Sequence, residues 1–282
     1  MTTLILDCDR SLASIGGDVG VEQTLGVRPV PITNGLKDVR RVLAQLFIEQ
    51  PVQTGHPLLG ANHIETRIVP NAAAQAMGLE VVVLDTASTL ADQEFVEALA
   101  LLNARRAAKN DPPVESLDQS TWGPYGNSLL KLYESLKTTN VVVVVTCHQK
   151  KVVDESGYIS YEPQIMGSSG LKMLAKFDAV VFATVREVPV SDAHPTGREY
   201  VWRTKASEAY PAKTRGLDLP AFVPQNLRAL VQRFRVAGTR FPKILIIGES
   251  GSGKTTSIAT LAKPSTVAGD GATEPVAAPD AA

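Results

Sequence analysis

An apolar segment that runs directly into a glycine-rich loop constrains this chain more than any other feature. Residues 244–255 read ILIIGESGSGKT, a predicted strand followed by the spacing G-x-x-x-x-G-K-T. Glycines at these positions let backbone N–H groups turn inward around phosphates, while Lys254 reaches the β- and γ-phosphates and Thr255 offers its hydroxyl to Mg²⁺. The positive end of the following helix adds to phosphate binding. The pattern predicts a nucleoside triphosphate site at Gly248, Glu249, Ser250, Gly251, Ser252, Gly253, Lys254, Thr255 and Thr256.

This phosphate loop occupies an unusual position in the sequence. Loops of this kind normally open their domain, because the other parts of the site follow them, but Thr255 lies close to the end of the 282 residues. Either the loop begins a second, truncated domain, or the rest of the site lies upstream of it.

Composition favours one ordinary globular unit. Hydrophobic residues make up 44% of the sequence and charged residues 20%, which is enough for a sizeable core. The formal net charge of −1 gives no overall attraction to nucleic acid, so any DNA contact requires a local basic patch. No apolar run approaches the ~18 residues of a membrane span, and Asp7, Asp9 and Arg10 interrupt the first one. We therefore expect a cytoplasmic protein with no membrane contact, in which Cys8 and Cys147 are small buried side chains.

Alternating strands and helices predict an α/β protein with a mostly parallel central sheet flanked by helices. Several strands are unbroken runs of Val, Ile and Leu, typical of strands buried on both faces. The predicted strands are 4–7, 81–85, 141–146, 179–185, 200–204 and 244–247, and the predicted helices are 36–48, 92–108, 127–136 and 225–234. We expect one domain over residues 1–263, with an irregular insertion or lid at 49–78, followed by a disordered acidic tail at 264–282.

Polar side chains at the ends of predicted strands suit the rest of a nucleotide site. Asp85 ends one strand and is a candidate Mg²⁺ ligand, although many buried strands end in Asp for turn or capping reasons. Asp9 follows another and is a candidate base that holds the attacking water, or else part of a capped turn. His148 follows a third and is a candidate sensor of the γ-phosphate, or a solvated strand exit. Carboxyl ends of parallel strands line the ligand crevice, so we expect these side chains near the loop.

The order of several short motifs resembles one family. The motifs are LDCD at 6–9, LD at 84–85, TCH at 146–148, FD at 177–178, RTK at 203–205 and YPAKTR at 210–215. This order is similar to that of phage-encoded RecA-like ATPases with an AAA domain, including the Sak-four recombination group. The resemblance covers about residues 2–234 and 241–264. Because the phosphate loop stands first in that family and last here, the resemblance implies a circularly permuted RecA-like (ASCE) P-loop NTPase.

The resemblance implies hydrolysis of ATP with Mg²⁺ at the residues named above. It also implies that Lys213 and Arg215 act as cations on the γ-phosphate, across a subunit interface as arginine fingers do, although a solvated charged loop is the alternative. The expected assembly is a homo-oligomer. The expected partners are single-stranded DNA and a single-strand-binding or annealing protein, in phage recombination or replication within the host cytoplasm.

Direct sequence support for DNA binding is limited to basic residues without interleaved aromatics. They are Arg228, Arg233, Arg235, Arg240 and Lys243, with the pair Lys150 and Lys151 elsewhere. A solvated helix end explains the larger cluster equally well. Two other functions stay open: a small-molecule P-loop kinase with residues 49–78 as its lid, and a nucleotide-binding scaffold with little hydrolysis.

Overall fold

A ten-stranded sheet forms the centre of the computed structural model, which describes residues 1–9, 12, 28–53, 64–192 and 194–261. The strands are β1 (Thr2–Asp7), β2 (Arg28–Pro31), β3 (Phe47–Gln53), β4 (Ile64–Pro70), β5 (Leu79–Asp85), β6 (Val142–Val153), β7 (Ile159–Pro163), β8 (Ala179–Glu187), β9 (Arg198–Arg203), β10 (Lys213–Thr214), β11 (Phe222–Pro224) and β12 (Lys243–Gly248). The helices are α1 (Gly35–Leu46), α2 (Ala72–Ala76), α3 (Ala87–Ala107), α4 (Gln119–Lys137), α5 (Ser169–Leu174), α6 (Leu227–Val236) and α7 (Lys254–Ala259).

Neighbouring strands in the middle of this sheet run parallel. The order across the sheet is β11-β9-β8-β12-β6-β5-β1-β2, and the strands from β8 to β2 in that order are parallel to their neighbours. Antiparallel pairings add β9, β10 and β11 beyond β8, and β7 beside the far half of β6. The predicted α/β class with a mostly parallel sheet is confirmed, and this is the architecture of a RecA-like P-loop NTPase.

Side-chain alternation explains why the central strands are unbroken apolar runs. Along β6, Val143 and Val145 pack into one hydrophobic cluster, whereas Val142 and Val144 pack into another on the opposite face. Helices α1, α3, α4 and α5 contribute to the first cluster, and α6 and α7 contribute to the second. A strand in this position has no face turned to solvent, so both sets of side chains are apolar.

The segment at 49–78 is more regular than expected. β3 and β4 form an antiparallel hairpin, and α2 follows them. α1 ends at Leu46, two residues before the predicted end, because Phe47 is the first residue of β3. Phe47 is buried. Pro51 favoured a loop, but an exposed strand of a hairpin tolerates proline where its missing N–H would face solvent. The expected irregular insertion is therefore a hairpin and a short helix over its described part, and residues 54–63 lie outside the described residues.

α4 begins well before its predicted start because capping and packing outweigh a proline. The side chain of Asp118 accepts a hydrogen bond from the backbone N–H of Thr121 at 2.9 Å and caps the helix. Pro124 then lies inside the helix, where it removes one backbone hydrogen bond. Trp122 and Tyr125 on either side of it pack edge to face, with ring centroids 5.7 Å apart.

Some sequence expectations fall outside this description or concern very short elements. The acidic tail predicted at 264–282 lies beyond the described residues. β7, β10, β11 and α5 were not predicted, because a few residues give too little periodicity to identify an element. Among the described residues, no helix combines the length and apolar character that a membrane span requires.

Candidate nucleotide-binding site

The phosphate loop joins β12 to α7, and its course depends on glycine. Gly251 and Gly253 have φ values of +75° and +88°, a left-handed conformation that other residues rarely adopt. A Cβ on Gly248 would lie 2.7 Å from the carbonyl oxygen of Ala183 on β8. These glycines therefore allow the loop to make the tight turn that phosphate binding requires.

Lys254 at the start of α7 holds its ammonium group against its own loop. The side chain is almost fully buried, and Nζ donates to the carbonyl oxygens of Gly248 at 2.9 Å and Glu249 at 2.6 Å. Burial lowers the pKa of Lys254, whereas the negative charge of Asp85 opposes this shift. The ammonium group therefore lies at the loop, where the predicted phosphate contact requires it.

Asp85 at the end of β5 faces the phosphate loop across the intervening strand β6. It is completely buried, accepts a hydrogen bond from the Thr146 hydroxyl, and accepts another from the Thr255 hydroxyl at 3.3 Å. This second contact joins the two predicted metal ligands, which lie 170 residues apart in the sequence. The fold thus brings the late phosphate loop to the earlier carboxylate.

This pair fits Mg²⁺ bound together with a nucleotide. Such an ion takes one or two protein ligands, because phosphate oxygens and waters fill its other positions. In the part of the chain that the structure describes, no group of three or more His, Cys, Asp or Glu side chains is arranged to hold a metal. A carboxylate and a hydroxyl next to a glycine loop suit an ion that arrives with phosphates.

A cavity of about 500 Å³ opens beside the phosphate loop. It is large enough for a nucleotide, since ligand cavities of this kind measure roughly 300–1,000 Å³. Loop residues form one side of it, and side chains from β6, β9 and the segments after β1 and β5 complete it. Outside residues 250–260, the lining consists of Asp9, Thr86, His148, Tyr200 and Gln225.

His148 lies beside the first residue of the phosphate loop in the strand register. Burial lowers its pKa first, and the positive charge of Lys254 lowers it further, against the opposing charges of Asp9, Asp85 and Asp92. The imidazole is therefore neutral near neutral pH. A neutral ring at this position can respond to an added negative charge by binding a proton.

Asp9 reaches the cavity because the segment after β1 is tied to β5. The backbone N–H of Cys8 donates to the carbonyl oxygen of Asp85 at 2.6 Å, which places the next residue at the carboxyl end of the sheet. The structure therefore brings Asp9, Asp85 and His148 to the same edge as the loop, as the parallel-strand argument predicts. Both cysteines are buried, as expected.

Ser88 and Gln225 support the site, and no sequence pattern indicated them. Ser88 Oγ accepts a hydrogen bond from the backbone N–H of His148 at 2.9 Å, so the start of α3 holds β6 at His148, which lies within this strand rather than after it. Gln225 Nε2 donates to the carbonyl oxygens of Ser252 at 2.8 Å and Val201 at 3.1 Å. Gln225 thus ties the phosphate loop to β9, and only the folded sheet brings these groups together.

Lys213 and Arg215 do not line this cavity. Lys213 lies opposite Val180 near the start of β8, and the Arg215 backbone N–H donates to Asp178 just before that strand. The loop lies beside Ala183, about 10 Å farther along β8 at ~3.3 Å per residue. Within one chain these cations are near the opposite edge of the sheet, so a role at the γ-phosphate requires a second chain.

Several of the basic residues predicted as a DNA patch already have partners or are buried. Arg235 forms an ion pair with Glu80 at 3.2 Å. Arg228 donates to the carbonyl oxygen of Leu261 at 2.6 Å. Lys243 is buried at the start of β12. Arg235 and Arg240 line one pocket together with Glu80, so part of the sequence cluster lies together in the fold.

Comparison with known proteins gives the family. The sequence model of a family described as the AAA domain matches residues 1–216. The chain belongs to the AAA domain family. The match covers Asp9, Asp85, His148 and the segment 210–215, and it stops before the phosphate loop. The chain matches neither a curated protein nor a solved structure.

Membership of the AAA domain family agrees with the geometry of the site. Nucleotide-binding ATPases make up this family, and residues 1–216 supply the carboxylate side of the cavity. β12 and α7 supply the phosphate side from outside the matched range. The segment with the phosphate loop thus follows the matched range in the sequence, while in the sheet β12 pairs with β6 and β8 of that range.

Proposed function

We propose that this AAA domain protein binds ATP with Mg²⁺ and hydrolyses it. The supporting observation is the 3.3 Å hydrogen bond between Thr255 Oγ1 and Asp85 Oδ2, which unites the phosphate loop with a buried carboxylate. A bound Mg²⁺ neutralises charge on the phosphates and orients them for attack by water. Thr255 and Asp85 hold this ion, directly or through its water shell.

Other residues of the cavity divide the remaining tasks. Lys254 exchanges its contacts with loop carbonyls for phosphate oxygens and stabilises their negative charge. Asp9 orients the attacking water as a general base. His148, which is neutral beside the loop, contacts the γ-phosphate, so that the position of β6 depends on whether this phosphate is present. Ser250, Gly251, Ser252, Gly253 and Thr256 surround the phosphates.

We propose further that the chain is a circular permutation of the RecA-like order. Met1 and Ala259 pack against the same hydrophobic cluster, so the strand that follows the phosphate-loop helix in other members is close to that helix here. The protein acts as a homo-oligomer in which Lys213 and Arg215 of one subunit serve the γ-phosphate bound by the next. Their position far from their own loop supports a role between subunits.

The proposed biology is phage recombination or replication with single-stranded DNA, together with a single-strand-binding or annealing protein, in the host cytoplasm. This part rests on the resemblance to phage-encoded RecA-like ATPases. It predicts that single-stranded DNA stimulates ATP turnover and that ATP changes the assembly state.

The test is phosphate release from Mg²⁺-ATP with and without single-stranded DNA. We expect Lys254→Ala to reduce release about a hundredfold or more, because it removes the charge that stabilises the transferring phosphate. Lys37→Ala, which removes an exposed lysine paired with Glu97, is the matched control and leaves the rate unchanged. ATP binding without release would instead indicate a scaffold, and transfer to a metabolite would indicate a kinase.

The same assay tests the role between subunits. Lys213→Ala should keep the ATP affinity of the wild type, because Lys213 does not line the cavity of its own chain. Its rate of phosphate release should fall, since the neighbouring site loses a cation. A Lys213→Ala protein that releases phosphate at the normal rate would end this proposal.

A further inference from the structure

A second cavity, of about 340 Å³, lies on the other side of the phosphate loop. Residues 249–252 form one wall of it, and the nucleotide cavity lies across the loop. Aromatic and arginine residues form much of the remaining wall: Tyr161, Phe182, Arg186, Arg203, Tyr210 and Phe222. None of the functions proposed above uses these side chains.

Arg203 lies over two aromatic rings in this cavity. Its guanidinium carbon is 4.6 Å from the centroid of Tyr210 and 4.9 Å from that of Phe222. The strand register fixes this arrangement, because Phe222 on β11 and Phe182 on β8 are the direct neighbours of Arg203 on β9. The sheet itself therefore positions the guanidinium group.

The hydrogen-bond donors of Arg203 are left for a ligand. Among the described residues, its guanidinium group donates no hydrogen bond and forms no ion pair. Arg186, which stacks on the same Phe222 ring at 4.9 Å, is neutralised by an ion pair with Glu199. When aromatic rings cover the faces of a guanidinium group, its N–H groups point outward in the plane, the geometry that binds phosphate oxygens in pairs.

The aromatic side chains extend beyond the arginine and form a stacking surface. Tyr161 on β7 stacks on Tyr210 with centroids 4.7 Å apart and planes 14° apart. Unpaired bases stack on such surfaces without regard to sequence, whereas duplex bases are not available to do so. An arginine that binds phosphate beside stacked tyrosines therefore favours a single strand over a duplex or a free anion.

We propose that this cavity binds single-stranded nucleic acid, with Arg203 contacting a phosphate and Tyr161, the outer ring of the stacked pair, contacting a base. The proposal rests on the proposed function for its partner class, and it gives Arg203, which the sequence indicated only as part of a short motif, a contact of its own. The carboxylate of Glu249 also faces this cavity, where it accepts a hydrogen bond from Gln149 Nε2 at 2.8 Å. A bound strand must therefore approach from the side of Arg203.

The phosphate loop is shared by both cavities and couples them. The backbone carbonyl of Glu249 accepts a hydrogen bond from Lys254 Nζ on the nucleotide side, while its side chain lines the second cavity. Transfer of Lys254 to a nucleotide phosphate releases this carbonyl. ATP and single-stranded DNA then each change the affinity for the other by the same factor.

The test is fluorescence anisotropy of a labelled oligo-dT strand with the full chain, over a series of salt concentrations. We expect Arg203→Lys to weaken binding about tenfold and to leave the salt slope nearly unchanged, because lysine keeps the charge but loses the paired planar contact. Arg67→Lys is the matched control, since Arg67 on β4 forms an ion pair with Glu65 at 3.3 Å and lies outside this cavity. It should bind oligo-dT like the wild type.

Binding of a fluorescent ATP analogue is measured on every variant to separate this inference from the proposed function. Arg203→Lys should bind the analogue normally. If it does not, Tyr161→Leu decides, because it leaves the guanidinium group in place and should still weaken oligo-dT binding severalfold. Oligo-dT binding that is unchanged in these variants, equally weakened in Arg67→Lys, or absent from the wild type would overturn the inference and leave the ATPase proposal standing.

Discussion

Gly253 in the phosphate loop has no room for a side chain. An added Cβ would lie 2.6 Å from Gln225 Oε1 and 2.9 Å from Tyr200 Cδ1, at a φ of +88°. Gly238 has a similar φ of +92°, but nothing lies within 4 Å of a Cβ there. The two glycines share the backbone strain and differ in crowding, so a comparison isolates the effect of displacing Gln225.

We predict that Gly253→Ala slows phosphate release about a hundredfold, because a shift of about 1 Å in a binding loop costs that much. Gly238→Ala should lower the free energy of unfolding by about 1 kcal/mol through backbone strain alone and leave release unchanged. Phosphate release and urea unfolding measure the two effects. Normal turnover by Gly253→Ala would contradict the placement of Gln225 against the loop.

The residues with chemistry of their own could be predicted from the sequence, whereas their supports could not. Lys254 and Thr255 belong to a spaced motif, and Asp85 ends an apolar run, so each leaves a local pattern. Ser88 and Gln225 act through hydrogen bonds to backbone groups that are 60 residues away for Ser88 and 24 and 27 residues away for Gln225. No local pattern encodes a contact of that range.

At the scale of elements, β12 begins with a buried lysine. Lys243 Nζ donates to the carbonyl oxygens of Thr139 at 2.9 Å and Val141 at 2.6 Å. Burial lowers its pKa from 10.5 to about 7, and Asp178 only partly opposes this. These hydrogen bonds connect the start of β12 to the residues just before β6. The same burial lowers the pKa of Lys243, so it loses its proton more easily than an exposed lysine.

We predict that Lys243 makes stability depend on pH between about 7 and 10.5. The unfolded chain binds more protons than the folded one in this window, so the free energy of unfolding rises with pH, by at most about 1.4 kcal/mol per pH unit. Lys243→Met should lose this rise. Urea unfolding at several pH values measures it, with the exposed Lys172→Met as the control. Equal slopes in Lys243→Met and wild type would contradict the prediction.

Elements with strong periodicity were predictable, and those governed by partners were not. The central strands were found because each is a continuous apolar run. The predicted helix 127–136 begins later than α4 does. Pro124 disfavours a helix in the sequence, whereas the packing of Trp122 against Tyr125 stabilises one in the fold. β3 was missed because Phe47 continues the apolar pattern of α1, and only its pairing with β4 shows that the helix has ended.

For the whole molecule, the residues of the nucleotide cavity and the proposed γ-phosphate cations differ in where they lie, and this difference affects ATP binding and hydrolysis in different ways. Asp85, Thr255 and Lys254 come from one chain, so a single chain should bind ATP. Lys213 lies near the other edge of the sheet, so hydrolysis should need contact between chains.

We predict that ATP affinity is independent of protein concentration, while the rate of phosphate release per chain rises as the protein associates. Light scattering and phosphate release, measured over the same concentration range, check this. A constant rate per chain across the assembly transition would contradict a role between subunits. ATP binding confined to the associated form would indicate that β12 is exchanged between chains.

The position of β12 also shapes how the chain reaches its native state. β12 follows the other described strands in sequence, yet it lies between β8 and β6 in the sheet. Until it is synthesised, the two halves of the sheet have facing edges with unpaired backbone groups, which attract other strands. Joining them is a contact of long sequence range and is therefore slow. During synthesis, the emerging chain therefore exposes two strand edges until β12 joins them, and aggregation is expected to begin at these edges.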